Sequence, residues 1–364
     1  MLSIFIPQET LEDIVIDNMA STMEVEEQDT WFKIFTKQDF VYVSSWEEKD
    51  YFTQEDPLFL LSDSYGVEIR YATESMEAIP ERPESVMDYW NGIFLLDISE
   101  EDAARIQKDY GVICQSTCHL DASVLMDPDL RFSLKKDEKG YSWDKILQNI
   151  SAEHIPSNHL ILIDRYLFTR DDDKKRKKKE NGLNFILRNL YDIMNIMLPA
   201  DELKCRYKVT IIVGEQKEGL SFSIADVSKN IQDKLIPSLK RPYDIDVEIL
   251  SLTYLSGLYT ATHNRCILTN YTVTQVEHMI KAFDGGRSTC LQTIMPQGLF
   301  TSSGLDGYCD SPHKTHHDVT KAVYDNLVWW VKNFLTTKST YYYNGKKTNV
   351  RDCYTIKNNR LIMI

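Results

Sequence analysis

His263 and Arg265 stand two residues apart in the stretch ATHNRCILTN, 261–270. Residues two apart in an extended strand project from the same face, so this imidazole and this guanidinium are expected side by side, with Asn264 turned away. Such a pair suits phosphate. The guanidinium forks onto two oxygens, and the imidazole can donate a hydrogen bond or attack phosphorus. Cys266, Ile267 and Leu268 form an apolar run after them, and Asn270 closes the stretch. Asp164 is expected to orient His263 or Arg265 through a hydrogen bond, as a carboxylate fixes an imidazole. Capping its own loop or pairing with Arg165 is the competing role. The plainer reading of the stretch is a strand whose His and Arg pair with nearby carboxylates or backbone.

The second group that could do chemistry is a charge run. Asp171–Glu180 reads DDDKKRKKKE, and Lys174, Lys175, Arg176, Lys177, Lys178 and Lys179 are six successive cations. Like charges repel, which keeps such a loop extended. On a ligand-binding edge it could hold a polyanion by counterion release, with an affinity that falls as salt rises. The alternative is a solvated loop partly neutralised by Asp171–Asp173. Farther on, Gly285-Gly286-Arg287-Ser288 sets Arg287 beside glycines that would let backbone N–H groups approach an anion. His313 leads the cluster His313, Lys314, His316, His317, Asp318. Cys114, Cys118 and His119 could begin a zinc site, but no second pair stands at finger spacing, and buried thiols are the simpler reading.

The spacing His263-x-Arg265-x4-Asn270 resembles the His-x-Lys-x4-Asp signature of the phospholipase D superfamily. The resemblance spans residues 158–300. Arg265 stands at the Lys position and Asn270 at the Asp position, and Val276, Glu277 and His278 occupy the place of the Gly-Ser that follows in the family. The family uses two facing copies of the motif, and this chain carries one. His313 is the best second imidazole within the chain, or else His316, although Thr315 and Asp318 stand where a Lys would be needed. The resemblance therefore implies kinship of fold, with a phosphate-gripping face kept and catalysis lost. If catalysis were kept, it would imply a metal-independent phosphodiesterase or nuclease acting as a dimer. His263 would be the nucleophile, the second subunit's His263 the general acid, and Arg265 would stabilise charge on the pentacoordinate state.

The elements that must position these groups read as follows. From His159 onward, apolar strands alternate with helices. Strands are expected at 159–168, 207–213, 243–252 and 263–269, and helices at 183–198 and 223–239. That alternation predicts an α/β layered domain with a largely parallel sheet flanked by helices, PLD-like or Rossmann-like, over 158–335. Ligands of such sheets sit at the carboxyl ends of the strands. A smaller α+β domain is expected over 1–150. Within it, Ile93–Leu96, a helix starting at Ser99 and ending at Gly111, and Val112–Cys114 form a β-α-β unit. Residues 46–90 read as loop and short helix. A helix over 319–335 precedes a tail, 336–364, in which Asn344-Gly345 marks a tight hairpin. Tyr341–Tyr343 with Lys346 and Lys347 could stack bases beside phosphates, but packing at a sheet edge is the more ordinary role of such tyrosines.

At 364 residues the chain is long enough for two domains. It carries a formal charge of −14, so any basic surface must be local. Seven scattered cysteines fit reduced thiols, and no apolar run is long enough to span a bilayer, so a cytoplasmic protein without a membrane span is expected. Dinucleotide, Walker A, nucleophile-elbow and His-Glu-x2-His motifs are missing, and no cofactor is expected. The function expected is phosphate-directed binding. The partner would be nucleic acid or another phosphodiester, with the protein acting as a nucleic-acid-binding protein or as a subunit of a nucleic-acid-handling bacterial complex. A protein partner or homodimer is expected, and a pure protein–protein interaction subunit is the remaining alternative.

Overall fold

The computed structural model describes residues 3–19, 29–44, 56–89, 92–126, 130–164, 182–214, 222–252, 265–277, 282–284, 286–298, 300 and 340–348. The chain is α/β and divides into two compact units: Met1–Met126 with Phe300–Val319, and Asp127–Leu299 with Thr320–Ile364.

The first unit holds a five-stranded sheet built from β1 (Ser3–Ile6), β2 (Phe40–Val43), β3 (Glu68–Tyr71), β4 (Gly92–Leu96) and β5 (Ile113–Ser116), in the order β3-β2-β1-β4-β5. Every pairing is parallel. Helices make the crossovers that parallel strands require: α1 (Gln8–Asn18), α2 (Thr30–Phe35), α3 (Pro57–Tyr65), α4 (Glu74–Glu77) and α5 (Glu100–Tyr110), followed by α6 (Ser123–Met126). β4 is buried throughout, as the run GIFLL demands of a strand covered on both faces. Local chemistry sets the ends of α5. The Ser99 side chain accepts from the Asp102 N–H, three acidic residues occupy the first turn, and Gly111 adopts φ +63°. The all-parallel sheet thus lies in the amino-terminal part of the chain.

The second unit holds a mixed sheet of nine strands. Its members are β6 (Phe132–Leu134), β7 (His159–Asp164), β8 (Tyr207–Gly214), β9 (Ile245–Leu252), β10 (Arg265–Thr269), β11 (Thr272–Val276), β14 (Gln292–Gly298), β15 (Thr340–Tyr343) and β16 (Lys346–Thr348). The order is β16-β15-β9-β8-β7-β10-β11-β14-β6. A small antiparallel pair, β12 (Phe283–Asp284) and β13 (Arg287–Ser288), stands apart. Parallel pairing is confined to β7-β8-β9. There the crossovers carry α8 (Gly182–Met197) and the helical stretch from α9 (Ile224–Asn230) to α10 (Ile236–Leu239). β10 and β11 are separated by two residues only, which forces them antiparallel.

Three sequence expectations change in detail here. β6 pairs with β14, so residues from 127 onward belong with the later part of the chain. The Asn344-Gly345 hairpin is the edge of the nine-stranded sheet, because β15 pairs with β9. The helix expected over 223–239 is interrupted by a π-helical turn at Ile231–Leu235, between α9 and α10. α7 (Trp143–Leu147) joins the second unit through Trp143, whose indole N–H donates to Asn189 of α8. The helix expected over 319–335 lies outside the described residues. Among the described residues no helix is long and apolar enough to cross a membrane.

Candidate functional site

The three parallel strands end side by side. Asp164 of β7 is level with Val213 of β8, Val213 with Ser251 of β9, and Gly214 with Leu252. From this carboxyl edge the chain departs into 165–181, 215–221 and 253–264, and it returns through Arg265 at the start of β10. β10 runs antiparallel to β7 with Cys266 opposite Ile163. One step further along that register sets Arg265 opposite Asp164 on the same face. Cross-strand neighbours at such a position lie within reach of each other. The Arg265 Nε donates to Asp164 Oδ1 at 3.2 Å. The pair is well enclosed, with side-chain exposures of 13% for Arg265 and 5% for Asp164.

Two further strands reach the same edge. β11 ends in Val276, and the Glu277 carboxylate after it accepts from the Thr293 N–H of β14 at 3.2 Å. Half-buried Cys290 stands among these groups. Burial pushes its thiol up most strongly; the Thr289 hydroxyl and then the positive charges of Arg265 and Lys136 pull it the other way. Arg265, Lys136 and Glu277 therefore share one electrostatic neighbourhood around Cys290.

The other sequence candidates scatter. Asn270 lies at the far end of β10 from Arg265, about 17 Å away at roughly 3.4 Å per residue. Its side-chain oxygen accepts from the backbone N–H groups of Asn158 and His159 at 3.1 and 3.2 Å, and its amide donates to Asn158 Oδ1 at 2.9 Å. It fastens the amino end of β7 and does not meet Arg265. Arg287 is exposed on β13 and bridges to Lys139 through the backbone. His263, Lys174 to Lys179 and His313 lie outside the described residues. In the first unit Cys114 is buried, which pushes its thiol up to about 12, whereas Cys118 and His119 are exposed.

Two clusters escape a reading of the sequence alone. One is the turn KKDEKG, 135–140, which reads in sequence as a charged linker; its clue is four lysines within eleven residues, 135–145. The other is a chain of buried polar groups across four strands of the larger sheet. His159 Nε2 meets Thr210 Oγ1 at 3.0 Å, Thr210 Oγ1 donates to Glu248 Oε1 at 2.8 Å, and the Tyr341 hydroxyl donates to Glu248 Oε2 at 3.0 Å. Because Thr210 gives its proton to Glu248, its oxygen accepts from the imidazole. His159 is then the neutral tautomer with its proton on Nε2. Burial, with help from Lys208, lowers its pKa to about 3. The clue in sequence is one polar residue in the middle of an apolar run, as in YKVTIIVG and IDVEILSL.

The five-stranded sheet offers a second crevice, where its winding reverses between β1 and β4. The polar groups at the start of α1 are turned toward β2 and their own helix. The Gln8 N–H donates to Ser44 Oγ at 3.3 Å, and the Gln8 amide donates to Glu12 at 2.7 Å. The larger sheet's carboxyl edge is the stronger candidate, because it carries the Asp164–Arg265 pair. No protein-family model matches the chain, and no curated protein matches it.

Proposed function

We propose that the protein binds phosphodiesters, nucleic acid foremost, along the carboxyl edge of β7-β8-β9, on a domain of phospholipase D-like descent that grips phosphate without cleaving it. The observation that carries this reading is the Asp164–Arg265 pair on the strand ends. A guanidinium anchored through Nε has its plane fixed, and a fixed plane is what bidentate recognition of an oxyanion requires. Arginine keeps its charge at every relevant pH, so it serves for holding and not for proton transfer. Connectivity adds to the case. His263 precedes Arg265 by two residues, and the segment carrying Lys174 to Lys179 begins directly after Asp164.

The test is fluorescence anisotropy of a labelled single-stranded oligonucleotide against the full chain, between about 50 and about 200 mM salt. Binding should weaken steeply across that range. Replacing Lys174 to Lys179 by glutamine should flatten the salt dependence, by about 0.7 in log–log slope for each phosphate that is no longer neutralised. Failure of the wild-type chain to bind at the lower salt would remove the proposal.

A further inference from the structure

The turn at 135–140 does more than close β6. Its backbone is tied to the β12–β13 hairpin at three points: Asp137 N–H to Ser288 O (2.8 Å), Ser288 N–H to Glu138 O (2.9 Å) and Gly140 N–H to Gly286 O (3.1 Å). Asp137 adopts φ +61°, a conformation that Asp tolerates better than most residues and that a tight turn needs. The turn is thus a built platform, and it carries exposed Lys136 and Lys139 next to exposed Arg287.

Cations outnumber carboxylates there, with Lys135, Lys136, Lys139, Lys145 and Arg287 against Asp137, Glu138 and Asp144. Two neighbouring carboxylates have fixed partners. Glu138 accepts the Lys135 N–H at 2.7 Å, and Asp284 on the adjoining hairpin is paired with Arg188 at 2.9 Å. In a chain of −14 overall, this is a local reversal of sign.

Aromatic rings interleave with the cations. Tyr141 and Phe132 are both half-buried and meet edge to face at 6.4 Å between centroids. The Lys145 ammonium sits 4.5 Å from the Tyr141 ring centroid, held by a 3.2 Å hydrogen bond to Gly140 O. Partly exposed rings beside fixed cations are what unpaired bases and their phosphates use together. A duplex keeps its bases stacked and would engage only the charges.

We infer that this platform is a contact for single-stranded nucleic acid, in which Lys136, Lys139 and Arg287 hold successive phosphates and Tyr141, backed by Phe132, stacks a base. The inference rests on the phosphodiester-binding reading and sharpens it to single strands. The register Arg265–Val276–Ile294–Phe132 across β10, β11, β14 and β6 sets Phe132 level with Arg265, and the chain then runs on through Leu134 to Lys136, which joins the platform to the carboxyl edge. One strand could then run from one to the other.

The experiment uses the full chain and labelled oligothymidylate, with the matched duplex and inorganic tripolyphosphate as competitors. The combined variant Lys136→Gln, Lys139→Gln, Arg287→Gln should lose roughly tenfold or more in affinity and about 2 in salt slope. Tyr141→Leu should lose roughly tenfold for the single strand and little for the duplex. Unchanged urea midpoints would show that both variants fold. If the triple variant binds as the wild type does, while neutralising Lys174 to Lys179 abolishes binding, the platform is refuted and phosphodiester binding at the edge survives. Duplex competing as well as single strand, or Tyr141→Leu binding normally, refutes the single-strand assignment. No binding by the wild type removes both.

Discussion

One sheet carries two polar clusters of opposite character. At the strand ends, Asp164 and Arg265 form a charged pair where three chain segments depart. Across the middle, His159, Thr210, Glu248 and Tyr341 form a sealed chain in which both Glu248 oxygens have donors. The sealed chain looks more like an active site on paper, because it contains a histidine and a carboxylate. Its geometry argues otherwise. Each link crosses to a different strand, and Thr210 and Glu248 are completely buried. A polar group with its partners fixed in register specifies which strand faces which, since a slip would leave it unsatisfied in an apolar interior. The pair at the edge also links two strands, β7 and β10, but it does so at the strand ends, where the chain leaves the sheet. Position along the strand, more than residue type, separates the two clusters.

The comparison can be broken or sharpened by mutation. The largest effect should come from Glu248→Ala, which leaves the Thr210 and Tyr341 hydroxyls without their acceptor and should cost about 2–5 kcal/mol in urea unfolding. A loss below about 1 kcal/mol would mean that the chain does not hold the sheet. Asn270→Ala, at the end of β10 remote from Arg265, should cost about 1–3 kcal/mol by orphaning two backbone N–H groups, and should leave nucleic-acid affinity unchanged.

His159 makes a pH test possible. Its folded pKa, about 3, lies below the ordinary 6.5. The unfolded chain therefore takes up a proton below pH 6.5 that the folded chain refuses. Stability from this residue is complete above 6.5 and declines as pH falls, by up to about 1.4 kcal/mol per pH unit, until the folded pKa is reached. His159→Gln should flatten that slope in urea titrations between the two values, and an unchanged slope would show that other groups cause it. The smallest effect on stability should come from Arg265→Lys. Keeping the charge but losing the planar fork should cost about 1 kcal/mol or less. Oligonucleotide affinity should nevertheless fall. A variant that binds as tightly as the wild type would count against the edge as the binding site.

The sequence makes some of this legible and hides the rest for physical reasons. Ser99 and Gly111 mark α5 because caps are local chemistry, and Asn344-Gly345 marks a turn because both residues take positive φ, 44° and 81°. Gly345 also packs close, and a Cβ there would stand 3.2 Å from the Gln232 Cβ. β3, in contrast, reads EIRY and is half-exposed at a sheet edge, so it shows no apolar run and lies hidden within 46–90, whose composition suggests loop and short helix. Strand order is non-local, which is why the largely parallel sheet expected over 158–335 keeps that character in β7-β8-β9 only. At the site, the types and spacing of Arg265 and Asp164 are visible in the sequence, but the register that sets them opposite each other is not. The platform at 135–140 stays hidden because its meaning depends on Arg287, more than 140 residues away along the chain.

The nine-stranded sheet ends on each side in a strand of three residues, β16 and β6. Lys346 and Lys347 lie on one rim, and Lys135 and Lys136 follow the other. Edge strands with unpaired backbone groups are templates on which a second molecule could extend the ladder; among the described residues β16 and β6 stand at the two edges, and short strands bearing lysine discourage that growth. The same ammonium groups that suit a polyanion would thus also keep copies of the chain from fusing edge to edge into aggregates. Neutralising them should make the protein more prone to precipitate when concentrated.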